Sequence, residues 1–166
     1  MRLVECIALD LPNFPDDLIR YWLLPYAESL GWPPFPKHRK DIGDSWKYIL
    51  TQKGLSYWAS LVWRKERMAI QWDDLSPRSQ YSIEGVTTKT NGFEVIANSH
   101  QRIHRILVYF MKLGTWPVAP ALVCHNNLYK VIDGNHRLAA FYIYKRTQQL
   151  FKISPLKKEH EVWVAT

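Results

Sequence analysis

Cysteine is scarce in this 166-residue chain, with only Cys6 and Cys124 present. Neither has a partner at metal-ligand spacing, so neither a cysteine zinc site nor a disulfide framework is indicated, and a reducing compartment suits the pair. Acidic residues are also few, 15 against 22 Lys and Arg, which leaves a formal charge of +7. Such an excess attracts polyanions and keeps nucleotides, nucleic acids and acidic proteins eligible as partners. No apolar run approaches the length of a membrane span, and Met1-Arg2-Leu3-Val4-Glu5 has no signal-peptide pattern. A cytoplasmic protein with no membrane partner is expected. Internal repeats and low-complexity tracts are lacking too. What is plentiful is aromatic surface, with eight Trp and nine Tyr. Core is the default use for it, and a ligand platform is the other.

The first third reads as short helices punctuated by proline. Asn13 and Pro15-Asp16-Asp17 open one that carries Leu18, Ile19, Trp22 and Leu23 at helical spacing, and Pro25 should kink or end it. A stiff connector over Gly31–Pro36, a helix from Asp44 to a Gly54 stop, and a third helix over Tyr57–Arg64 follow. Met68-Ala69-Ile70-Gln71-Trp72 alternates like a strand that ends at Asp73–Pro77. The stretch to Asn98 is poorly patterned, with a short strand suggested at Phe93–Ile96.

The clearest helix begins at Asn98 or Ser99, aligns Ile103, Ile106, Leu107, Phe110 and Met111 on one face, and closes at Gly114. Two apolar runs, Ala121–Cys124 and Leu128–Ile132, flank His125-Asn126-Asn127 as a hairpin. A further helix and a last strand at Glu161–Val164 complete an α+β domain over about residues 67–166. Residues 1–66 are a helical, aromatic-rich region expected to pack on it, because its short helices are too few to bury Trp22, Trp46 and Trp58 alone.

Chemistry concentrates at Asp133-Gly134-Asn135-His136-Arg137, where an apolar strand becomes a helix without a linker. Asp133 is expected to cap that helix. Gly134 permits a sharp turn and close approach of a ligand. The first helical N–H groups lack acceptors and sit at the positive end of the helix dipole, so phosphate is a natural guest. His136 and Arg137 bring further donors to the same point. Asp133, Asp73 and Asp74 stand open as metal or base groups. His100 and His104 lie one turn apart but have no third ligand, and are read as boundary side chains. The clusters Lys37–Lys40 and Arg64–Arg67 read as solvated basic faces.

The run Tyr129–Ala140 resembles the signature of the ParB/sulfiredoxin superfamily, a strand followed by Asp-Gly-x-His-Arg and a helix of small residues. The Leu75-Ser76-Pro77 ending, the helix from Ser99 and the Pro120 approach sit in the family's order, so the resemblance covers about residues 67–166. It implies a ParB/sulfiredoxin-like domain with a small mixed sheet and ATP or another NTP held with Mg²⁺. Gly134, Asn135, His136 and Arg137 would contact the phosphates, and Ser99 and Arg102 would border them. Asp133 and His136 would be the catalytic pair, with Asp133 a candidate Mg²⁺ ligand.

Branches of the family phosphorylate a sulfinic acid, phosphorylate free serine, or switch a DNA clamp with CTP. Asn135 stands where sulfiredoxins have Cys, and Arg78-Ser79-Gln80 follows Pro77 where the serine kinases place a Glu, unless Glu84 replaces it. Only a short tail follows where partition proteins carry a helix-turn-helix. The expected function is therefore nucleotide binding with phosphoryl transfer or NTP hydrolysis. Two alternatives stay open: a nucleic-acid-binding or nuclease-type protein, and an effector or immunity type of interaction module using the aromatic N-terminal region.

Overall fold

A computed structural model describes residues 2–34, 40–87, 98–151 and 153–166, with residues 40–44 given by their backbone alone. The chain is of mixed helix-and-sheet type and separates into two compact units, one of Met1–Arg64 with Ala165–Thr166 and one of Lys65–Val164. No described helix is long and apolar enough to cross a membrane.

The first unit is helical and opens with α1 (Leu3–Asp10), which sequence periodicity did not announce. Glu5 closes its first turn by accepting from the Arg2 backbone N–H at 2.9 Å, and Ile7 anchors it in the core. Next, α2 (Asp16–Leu18), a π-helical turn (Ile19–Leu23) and α3 (Leu24–Leu30) run on without a break. Pro25 therefore does not end the helix, and the chain departs from α-helical geometry in the turn before it. Leu24 N–H donates to Ile19 O, five residues back, and this wider turn relieves the clash that Pro25 would make with the preceding turn.

The next helix, α4, spans Lys40–Ile49 rather than starting at Asp44, and it stops before Gly54 because Thr51 and Gln52 already turn at positive φ. The third helix, α5, is Leu55–Ser60; Trp63 and Arg64, expected to be helical, open a strand. Trp22, Trp46 and Trp58 are buried, and Trp22 meets Trp58 edge-on with centroids 5.5 Å apart. Their ring nitrogens are accounted for where the core is tightest: Trp58 donates to Leu50 O and Trp46 to Gly31 O. Much of the aromatic excess of this region is core.

The four-stranded mixed sheet has the order β1 (Trp63–Met68), β4 (His160–Ala165), β2 (Ala121–His125), β3 (Leu128–Asp133). The strand expected at Met68–Trp72 therefore lies upstream of there, and Trp72–Asp74 is a 3₁₀ turn. β1 is an edge strand, and exposed Arg64, Lys65, Glu66 and Arg67 guard that edge, which is why it shows no apolar alternation. The hairpin matches expectation, with Asn126 and Asn127 both at positive φ between β2 and β3.

A helix unforeseen in the sequence, α6 (Pro77–Gly85), starts from Ser76, whose hydroxyl accepts from Ser79 N–H, with Pro77 at its first position. The buried Ser79 hydroxyl in turn accepts from Val131 N–H of β3 at 2.9 Å, closing the other sheet edge. The long helices are α7 (Ser99–Leu113), ended by Gly114 in the left-handed conformation, and α8 (Asn135–Leu150). Between them lie Phe110, Phe141 and Tyr144, and His160 of β4 is buried among Phe110, Trp116 and Phe141 with Nδ1 3.0 Å from Thr115 Oγ1. The strand suggested at Phe93–Ile96 lies outside the described residues.

Candidate anion site at two helix N-termini

Strand β3 ends at Asp133, opposite Ala121, and α8 begins two residues later. Gly134 makes this possible at φ +109°, and a Cβ there would lie 2.6 Å from Pro120 Cβ. Both backbone conformation and close approach therefore require glycine. Gly134 is itself the cap residue, and no side chain caps the helix, which corrects the expectation for Asp133. The Asp133 carboxylate instead accepts from Arg137 Nη2 one turn along. Arg137 Nη1 donates to Val118 O at 3.1 Å and Ala119 O at 3.2 Å. Arg137 is thus a largely buried strap that ties the turn to the 118–120 segment, its charge offset by Asp133. The acceptor carbonyls of Val118 and Ala119 carry no signal in the sequence.

His136 has the opposite outlook. Its half-buried ring brings Nε2 to 3.0 Å from Ser99 Oγ, at the first residue of α7. Burial depresses its proton affinity, Arg102 and Arg137 depress it further, and Asp133 opposes them. Because Ser99 meets His136 at one end while Phe110 packs on Phe141 and Tyr144 at the other, α7 and α8 run in the same direction. Their N-termini therefore open at one place. Neither Asn98 nor Gly134 supplies a side-chain cap, and neither first turn contains an acid. Arg102, one turn along α7, is exposed, and it forms no ion pair among the described residues. Asn135 Oδ1 is buried beside this mouth with no hydrogen-bond partner.

Of the residues singled out in the sequence, Ser99, Arg102, Gly134, Asn135, His136, Arg137 and Asp133 are brought together. Asp73 and Asp74 are not. Their charges act on Tyr142, and Asp74 accepts from Gln71 N–H to close the 3₁₀ turn. Glu84 lines a cavity beside Tyr142. His100 and His104 are exposed, and no group of three metal-ligating side chains occurs among the described residues. No protein-family model, curated protein or solved structure matches the chain.

Proposed function

We propose that this is a nucleotide-binding protein of ParB/sulfiredoxin-like type, which seats the phosphates of ATP or another NTP at the joined N-termini of α7 and α8 and transfers or hydrolyses a phosphoryl group. The observation that carries the reading is the Ser99–His136 contact, which brings two uncapped helix ends together. First-turn N–H groups of two helices, which have no acceptor within the helix, added to two dipoles, make a stronger anion site than either end alone. Arg102 is the cation with charge to spare, and His136 meets the phosphates as a hydrogen-bonding group. Asp133 acts through Arg137, holding the strap that shapes the turn. The Asp133 carboxylate is already engaged by Arg137 and no cluster of ligands accompanies it among the described residues, so these residues do not build a Mg²⁺ cage. In this reading Mg²⁺ arrives on the nucleotide phosphates, and no step is assigned to it.

Thermal unfolding with a nucleotide panel and tripolyphosphate, each with and without Mg²⁺, tests this. A bound ligand should raise the midpoint by mass action. Loss of one charge-assisted contact is worth on the order of 1.5–3 kcal/mol, so Arg102→Ala should weaken the response about tenfold or more. An Arg102→Ala protein that responds like wild type would move the phosphates elsewhere. Preference for oligonucleotides, with affinity that collapses as salt rises, would favour a nucleic-acid binder instead. A second reading, a protein partner for the first unit, is favoured by its exposed Leu9, Tyr21 and Tyr48. Serine substitution of all three should abolish a protein contact and leave any nucleotide response intact.

A further inference from the structure

Beyond the anion site, the outer face of α7 is open. The helix packs chiefly on α8 and turns Ile103 and Phe110 inward, while most of its other side chains are exposed. Its sequence, Ser99–Leu113, contains no acidic residue. The cations Arg102, Arg105 and Lys112 are exposed, and none forms an ion pair among the described residues.

Helical spacing arranges these groups. Gln101, Arg105, Val108 and Lys112, at i, i+4, i+7 and i+11, form one row opposite Ile103 and Phe110. Arg102 and Tyr109 border the row on one side, His104 and Met111 on the other. From Gln101 to Lys112 it spans about 16 Å, roughly five base pairs of a duplex. The centre of a protein–protein interface is poor in charge, whereas this central row itself carries Arg105 and Lys112. Hydrogen-bond donors on both flanks, with no anion anywhere, match the phosphate walls on either side of a groove. A helix with its side chains is about 10–12 Å across and the major groove of B-form DNA about 12 Å wide, while that of A-form RNA is too narrow to be read.

We propose that the outer face of α7 docks in the major groove of B-form DNA. Gln101 and Val108 face base edges, and Arg102, Arg105 and Lys112 reach the phosphates on the rims. Tyr109 and His104 add hydrogen bonds to the same rims. Of these residues only Arg102 also borders the anion site, so docking does not depend on nucleotide binding.

Fluorescence anisotropy of the full chain with a labelled mixed-sequence DNA duplex, across a salt series, tests this. Three neutralised phosphates predict that log K falls with log salt at a slope of about −3. Arg105→Ala and Lys112→Ala should each flatten the slope by about one and leave the nucleotide response unchanged. Val108→Glu, which sets a like charge against the groove from an exposed position, should weaken binding about tenfold or more without lowering the melting temperature. A slope unaltered by both cation substitutions would overturn the proposal, as would equal affinity for RNA duplex of the same sequence. Complete displacement of the duplex by tripolyphosphate at matched ionic strength would place DNA at the helix ends instead. Tighter binding of polyglutamate than of DNA would make the partner an acidic protein. Either result would also overturn it.

Discussion

His136 and His160 make the same local contact in opposite settings. Each holds a ring nitrogen 3.0 Å from a hydroxyl oxygen, Ser99 Oγ for the first and Thr115 Oγ1 for the second. Burial depresses the proton affinity of both. His160 is 2% exposed, walled by Phe110, Trp116 and Phe141, and its Nε2 is buried without a partner. His136 opens onto two helix ends, with Arg102, Arg137 and Asp133 acting on it. A histidine–hydroxyl pair is therefore no mark of function by itself. What differs is the setting, charged side chains around His136 and aromatic walls around His160.

That contrast can be broken from either side. The largest effect is expected at the wall of His160: Phe110→Ala should destabilise the protein by about 3–5 kcal/mol, read by urea unfolding, because it empties a fully buried aromatic position. A loss below about 1 kcal/mol would mean that this cage is not core. Next comes Arg137→Ala, which removes three hydrogen bonds and strands a partly buried carboxylate. A basal loss of roughly 2–3 kcal/mol is expected in the absence of any ligand. An unchanged midpoint would return Arg137 to the role of a free phosphate contact.

Acid should act through both histidines. Each binds its proton less readily in the folded chain than at the ordinary value of 6.5, so the folded state is favoured at higher pH. Stability should be complete above pH 6.5 and fall as pH drops through it, by about 1.4 kcal/mol for each unit of depression. His160→Leu should flatten part of that slope. Bound phosphate should oppose the His136 part, because a neighbouring dianion favours the imidazolium. An acid limb unaltered by His160→Leu would remove this residue from the account. The smallest change is expected for Ser99→Ala, within about 1 kcal/mol of wild type, since its contact with His136 lies at a partly buried position.

The second unit was more legible in the sequence than the first, for physical reasons visible at individual residues. Gly114, Asn126-Asn127 and Gly134 stand where the backbone needs positive φ, so the ends of α7, the hairpin and the start of α8 could be read directly. Charged edge strand β1 had no apolar alternation to betray it, and the Met68–Trp72 pattern came from Ile70 dipping into the core from a loop. The Ser76-Pro77 start of α6 was there to be read, but the weak apolar pattern beyond it hid the helix. At the site, the pentad and even the neighbourhood of Ser99 and Arg102 were legible. The division of labour between Arg137 and His136 was not, because it depends on two carbonyls from a segment 18 and 19 residues upstream.

The π-helical turn at Ile19–Leu23 bears on how this chain tolerates changes in length. Such a turn contains one residue more than an α-helix needs, while the faces on either side keep their register. Deleting one residue there would leave Leu18 and Ala27 aimed at the same core, but it would return Pro25 to the clash that the wide turn avoids. Deletion combined with Pro25→Ala should then fold better than deletion alone. The extra residue and the proline are best understood as a matched pair, each tolerable because the other is present.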